Sequence, residues 1–180
     1  EAKPKDSYLN IDRVIAAAKE SGASAIHPGY GFLSERWEFA QRCETEGLVF
    51  IGPGAEVIRK MGDKYRSREI ATSLGIPIPP GSGILDNVDE ARKWATELSF
   101  PVIFKASAGG GGIGMMKVET EAAVAEAFDT ATNRARSAFG DERVYVEKYL
   151  ESPHHIEIQI LGDKDGNMVT FPERECSVQR

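Results

Sequence analysis

Apolar residues recur along this chain in two rhythms, every three to four positions or every second position, and glycine and proline punctuate the changes. The slower rhythm predicts a helix over Leu9–Lys19, with Asn10 as its cap and Gly22 past its end. Ala23–His27 follows as a short strand, and residues 28–31 (Pro-Gly-Tyr-Gly) form a turn-rich loop. Ser34 is placed to cap a helix that runs to Glu46 and stops at Gly47. Leu48–Ile51 reads as a buried strand, broken by Gly52 and Pro53. A strand, a helix and a strand with short connections predict a parallel α/β layer.

A helical stretch from Glu56 to Leu74 comes next, with an interruption at Gly62 and Asp63. The proline-rich run Ile76–Gly81 is the best linker in the chain. Beyond it the expected order is a helix over Asp89–Leu98, a strand over Val102–Lys105 and a strand over Met115–Val118. Thr120 is placed to cap a long helix over Glu121–Ala138, and Arg143–Lys148 returns as a strand. Ile156–Leu161 and Met168–Phe171 predict a hairpin across residues 163–167. Within it Ile156, Ile158 and Ile160 share a face that is expected to pack, while His155, Glu157 and Gln159 share the other.

Composition narrows the function classes. With 180 residues, 41% of them hydrophobic and 28% charged, the chain has room for one domain or two small ones. A net charge of −6 and the lack of any Lys/Arg block argue against nucleic acid or an anionic membrane surface as partner. No apolar run approaches membrane-spanning length. Cys43 and Cys176 lack CxxC spacing, so neither a zinc site nor a disulfide framework is expected, and a reducing compartment fits. The first residue is Glu1, and the last, Arg180, follows a strand closely; a fragment of a longer protein is expected.

The densest chemistry lies in residues 101–118. A short apolar strand carries Lys105 near its end, and glycines crowd the loop that follows, from Gly109 to Gly112 and again at Gly114. Backbone N–H groups bare of side chains can approach an anion closely, and phosphate is the usual one. Gly109, Gly111 and Gly114 formally match G-x-G-x-x-G, but a strand follows where the dinucleotide fingerprint needs a helix. The P-loop pattern also fails, because Met115 stands where Lys is required. What remains is a glycine hairpin able to close over phosphates. Lys105, within Val-Ile-Phe-Lys-Ala, sits at a semi-buried position and needs an anionic partner.

Other segments admit two readings each. Lys64 near a helix start is by local context a solvated lysine or, with a second argument, a phosphate ligand. Residues 144–150 form either an edge strand with solvated ends or the strand whose end reads an adenine. The polar face of His155, Glu157 and Gln159 suits ribose or phosphate contacts better than a metal, for which one His and one Glu are too few. Glu173 and Glu175 either face one magnesium or pair with Arg174 and Arg180. His27 has no Ser or Cys nucleophile context and is read as loop architecture.

Taken together, these segments resemble the biotin carboxylases, the ATP-grasp components of biotin-dependent carboxylases. The matching stretches are residues 27–35 (HPGYGFLSE), 50–53 (FIGP), 61–64 (MGDK), 105–112 (KASAGGGG), 147–150 (EKYL), 155–159 (HIEIQ) and 173–180 (ERECSVQR). They stand in the family's order and cover nearly the whole chain. The resemblance implies that Lys64 and Lys105 touch ATP phosphates, that Gly111 and Gly112 lie in the lid over the triphosphate with Met115 at its edge, and that Glu147, Lys148, Tyr149 and Leu150 frame the adenine. It implies too that His155 and Gln179 contact the ribose side of the site. The family reaction makes carboxyphosphate from ATP and bicarbonate, with Mg2+ or Mn2+, then carboxylates biotin on a carrier domain; a carboxyltransferase component completes the cycle. A homodimer, and the cytoplasm or mitochondrial matrix, follow from the same likeness.

The implied architecture is α/β: part of an N-terminal domain over 1–60, a linker helix and hinge over 61–81, an ATP-grasp lid subdomain over 82–150 and the start of a C-terminal lobe over 151–180. By resemblance the metal-binding and catalytic residues fall outside this stretch, so the isolated piece is not expected to complete the reaction. Ile113 and Met116 depart from the family, which often places Lys or Arg at the first position and Arg at the second. Two rivals stand beside this reading: another ATP-grasp ligase, such as a carbamoyl-phosphate synthase-like enzyme, and a non-catalytic nucleotide-binding module.

Overall fold

The structure, a computed structural model, describes residues 3–108 and 114–178. Its contacts separate into two units, one ending at Lys148 and the other beginning at Tyr149.

In the first unit, helix α1 (Ile11–Glu20) starts at Asn10, whose side chain accepts a hydrogen bond from the Arg13 N–H at 3.0 Å. Strands β1 (Ala25–Ile26) and β2 (Val49–Phe50) pair in parallel around helix α2 (Trp37–Thr45), as the strand–helix–strand pattern predicts. Ile15, Phe39, Cys43 and Leu48 form the core of this layer. Ser34 does not cap α2. It sits in a turn, its N–H on Gly31 O at 2.9 Å, and Arg36 occupies the cap position without a side-chain capping bond.

The predicted interruption is real. Helices α3 (Ala55–Met61) and α4 (Lys64–Ser73) break at Gly62, and Asp63 caps α4 by accepting from the Arg66 N–H at 3.0 Å. After the linker, helix α5 (Val88–Leu98) is capped by Asn87. Strands β3 (Val102–Ala106), β4 (Met116–Val118) and β5 (Val144–Lys148) form an antiparallel sheet in the order β4-β3-β5. Helix α6 (Val124–Phe139) begins later than expected. A short 3-10 turn, Glu121–Ala123, precedes it, and the Thr120 side chain makes no capping bond.

Cross-strand register gives this sheet two different faces, because directly opposed residues share a side. Val102, Phe104 and Ala106 lie with Met116, Val118, Val144 and Val146. They build the main core with Ala91 and Ala95 of α5 and Phe128, Ala131 and Ala135 of α6. Phe104 and Phe128 meet edge to face at 6.2 Å between ring centroids. The opposite face carries Ile103, Lys105, Tyr145 and Glu147.

The linker does more than join two pieces. Its backbone runs along the free edge of β5: Lys148 N–H donates to Pro80 O at 2.8 Å, Ser82 N–H to Val146 O at 2.8 Å, and Leu85 N–H to Val144 O at 2.9 Å. The Ser82 hydroxyl in turn accepts from the Val146 N–H at 3.0 Å. An edge that would otherwise stand open is thereby closed. A Cβ at Gly81 would lie 2.8 Å from both Val146 O and an Arg68 guanidinium nitrogen, so the close approach requires glycine.

The second unit is one hairpin, β6 (Ile156–Gly162) with β7 (Met168–Glu175), longer than the pattern predicts. Its turn is held by the Asp163 carboxylate, which accepts from the N–H groups of Asp165 and Asn167 at 2.9 Å each. The register slips between Ile158 and Ile160, where Pro172 of β7 has no N–H to offer the ladder. The expectation that the isoleucine face packs is not met among the described residues: Ile156, Ile158 and Ile160 are 49%, 51% and 49% exposed.

Candidate functional site

A cluster of charges forms on the face of the β4-β3-β5 sheet turned away from its main core. Lys105 projects from β3 opposite Tyr145, which puts it diagonal to Glu147 of β5. Lys105 donates to one Glu147 oxygen and Arg68 of α4 to the other. Glu147 is 4% exposed, so this carboxylate is a buried anion compensated by two cations. Arg68 also donates to Pro79 O at 3.1 Å, and its guanidinium lies 5.6 Å from the Tyr145 ring centre. The partner that the semi-buried lysine requires is thus Glu147, a residue expected to frame an adenine.

Lys64 lies at the first position of α4 and is half-buried. Its pKa is pushed below the usual lysine value, first by burial and then by the positive charge of Lys105; Glu147 and Glu35 pull weakly the other way. Two lysines of the same sign, far apart in sequence, therefore feel each other here. Such a pair is a cost in the empty protein and a ready seat for a multiply charged anion.

The start of α4 is tied to the end of β3. Lys64 N–H donates to Ser107 O at 3.0 Å, and the Ser107 hydroxyl donates to Asp63 at 2.9 Å. Arg143 donates to the other Asp63 oxygen at 3.0 Å and to Asp141. Burial raises the Asp63 pKa, but the hydrogen bonds from Arg66 N–H, Ser107 and Arg143 outweigh it and hold the group below the usual carboxylate range. Burial likewise pushes the Tyr145 hydroxyl well up, with the Glu147 charge adding to the effect.

The other predicted site residues are divided between the two units. Lys148 turns its ammonium onto Ser99 O at 2.8 Å and Phe100 O at 3.2 Å, at the C-terminal end of α5. Met115 lies partly exposed just before β4. Tyr149, Leu150 and His155 belong to the second unit. There His155 N–H donates to the Ser177 hydroxyl at 2.8 Å, and its Nε2 lies 3.3 Å from Glu157. Gly111, Gly112, Ile113 and Gln179 lie outside the described residues.

Among the described residues Glu175 faces neither Arg174 nor a third acidic group, and Arg180 lies outside them. Glu175 pairs with His154 at 3.1 Å and accepts from the Ser177 N–H at 2.8 Å, while Arg174 crosses to Glu157. Among the described residues no three His, Cys, Asp or Glu side chains come together as a metal site.

Sequence reasoning missed Arg68, Asp63, Ser107 and Arg143. One signal was available for Arg68: four residues after Lys64 on one helix, it must share that residue's face. Asp63 was visible as an interruption but not as a cap. Nothing local marks Ser107 or Arg143, which act across the fold.

Comparison with known proteins decides the family. Residues 63–180 match the family described as the carbamoyl-phosphate synthase L chain ATP-binding domain. Residues 1–58 match the biotin carboxylase N-terminal domain. The chain belongs to the biotin carboxylases. It is 51% identical, over 99% of its length, to pyruvate carboxylase of Bacillus subtilis strain 168, of which it covers 16%. To urea amidolyase of Lachancea kluyveri it is 47% identical over 97% of its length, covering 10% of that protein. A solved biotin carboxylase domain dimer of Hydrogenobacter thermophilus 2-oxoglutarate carboxylase, in complex with MgADP, ADP and bicarbonate, superposes with a TM-score of 0.91 at 50% identity, over 100% of this chain and 40% of that one. The chain thus spans well under half the length of these relatives, and its mixed α/β fold matches that of biotin carboxylase ATP-grasp structures. No described helix is long and apolar enough to cross a membrane.

Proposed function

We propose that this chain carries the phosphate-binding half of a biotin carboxylase. The parent protein would use ATP and bicarbonate to form carboxyphosphate, and would then carboxylate biotin on a carrier domain. The observation that carries this reading is the lysine pair. Lys64 opens α4, its N–H bonded to Ser107 O two residues beyond Lys105 on β3, so the two lysines stand on elements that are tied together, and the charge of Lys105 helps to lower the Lys64 pKa. Fixed positive charges there would stabilise charge on the transferring phosphoryl group without reorganising during the reaction.

The residue roles follow the site. Lys64 and Lys105 would hold phosphate oxygens. Gly111 and Gly112, which fall between β3 and β4 in the sequence, would close over the triphosphate and exclude water from a reactive intermediate. Glu147, Lys148, Tyr149 and Leu150 would frame the adenine, the Glu147 and Lys148 side chains already having partners and the Lys148 N–H being held by Pro80 O. Met115 would flank the lid, and His155 and Gln179 would reach the ribose side. Mg2+ or Mn2+ supplies charge neutralisation at the phosphates when bound; the described residues form no cage for it.

The organisation that goes with this reading is an N-terminal α/β portion over 1–60, a linker helix and hinge over 61–81, a lid over 82–150 and the start of a C-terminal lobe over 151–180. The relative's MgADP, bicarbonate and dimeric state support ATP, bicarbonate and a homodimer here. Pyruvate carboxylase and urea amidolyase are matched nearly equally well, so the acceptor is set outside this stretch.

The test is ATP hydrolysis by the full-length parent protein, with and without bicarbonate and free biotin. Stimulation that needs both is the expected result. Hydrolysis indifferent to both would point to another ATP-grasp ligase, and nucleotide binding with no turnover to a non-catalytic module. Within that protein, Lys105→Gln is expected to weaken ATP binding by about 1.5–3 kcal/mol, the range for hydrogen bonds to charged groups.

A further inference from the structure

We infer that Arg68 is a positioning residue for the nucleotide site: it holds one oxygen of the buried Glu147 carboxylate so that the other orients Lys105 without capturing it. This rests on the reading of Lys105 as a phosphate ligand.

Four observations converge on Arg68. Its side chain is 13% exposed, and it shares Glu147 with Lys105 rather than pairing with a surface partner. A buried carboxylate opposed by a single lysine would hold that lysine tightly, since each charge is costly to leave alone. With a second cation on its other oxygen, the anion is compensated even when Lys105 swings toward a phosphate. Arg68 is itself held on two sides, by Pro79 O and by the Tyr145 ring, and it lies close enough to Gly81 that a Cβ added there would strike it at 2.8 Å. Finally, Arg68 lies four residues along α4 from Lys64, so one rigid helix sets both the second phosphate lysine and the counterion of the first. Arg68 touches no reacting group in this scheme; it acts through Glu147.

The experiment compares ADP binding and steady-state kinetics in the full-length parent enzyme. Arg68→Gln keeps a donor for Pro79 O but removes the charge. It is expected to raise the ADP Kd and the ATP KM about tenfold, with kcat changed less than about threefold, and Arg68→Lys should restore most of the affinity. Lys105→Gln serves as the control for the underlying reading. If it leaves the ADP Kd unchanged, that reading fails. If Lys105→Gln weakens binding and Arg68→Gln does not, the role of Arg68 alone is overturned. Equal losses in Arg68→Gln and Arg68→Lys overturn it too, since packing rather than charge would then be at work. Should Arg68→Gln not fold, the comparison of Glu147→Gln with the double variant Glu147→Gln, Arg68→Gln decides. A Kd within about threefold between those two supports action through Glu147, and a further tenfold loss in the double variant excludes it.

Discussion

Strand β5 and the β6–β7 hairpin are equally apolar to the eye, and the protein treats them in opposite ways. In β5, Val144, Tyr145, Val146 and Glu147 are all buried. In β6 and β7 almost every residue is exposed, including Ile156, Ile158, Ile160 and Phe171. The difference does not lie in the strands. β5 has β3 on one edge, the linker on the other, α5 and α6 beneath it and α4 above part of its far face. Within the second unit, the described residues give the hairpin only its own two strands. Period-two hydrophobicity tells which residues would be buried together, and only the neighbouring layers decide whether they are. The same contrast separates the charges. Glu147 is buried and therefore needs both its cations, whereas the Glu157–Arg174 pair of the hairpin stands in solvent and contributes little.

The contrast between sheet and hairpin is most exposed to challenge at Phe104. Phe104→Ala, in the core face of β3, should lower the stability of its sheet by about 3–5 kcal/mol, read as hydrogen exchange of the β3 and β5 amides. Phe171→Ala in the hairpin should cost under about 1 kcal/mol, and a loss equal to that of Phe104 would mean the hairpin is as well packed as the sheet. Gly81→Ala comes next. Its Cβ would press on Val146 O and Arg68 and should cost about 1–3 kcal/mol, with the loosened exchange confined to β5 and the linker.

A smaller effect is expected at Asp63, whose replacement by Ala removes the α4 cap and the bonds to Ser107 and Arg143; about 1–2 kcal/mol is the range for such caps. Because the folded pKa of Asp63 is depressed, its contribution is present above the unfolded value near 3.8 and is lost as pH falls through the lower folded value. Asp63→Asn should therefore flatten acid unfolding in that range, and an unchanged acid limb would contradict the assignment. The smallest effect is expected for Glu157→Gln, which should move hairpin stability by no more than about 0.5 kcal/mol and less at high salt.

Much of the molecule is legible in its local chemistry. The cap at Asn10, the helix break at Gly62, the two strands on either side of the glycine run and the need of Lys105 for an anion all follow from residues close together in the chain. Ser34 and Thr120 misled because a good capping residue two or three positions before the observed cap competes with a turn that starts first. Pro172 denies β7 one ladder donor, but the register slip that accompanies it depends on the partner strand.

What the chain determined by itself is the set of elements, the period of each and the presence of a lysine that could not stay unpaired, since these depend on residues within a few positions of one another. Tertiary structure alone decided that the counterion is Glu147, that Arg68 shares it and that the linker closes the edge of β5. Each of those depends on contacts between residues that are distant in sequence, such as the 79 positions from Arg68 to Glu147. No local pattern encodes them; they exist only once packing has brought the elements together.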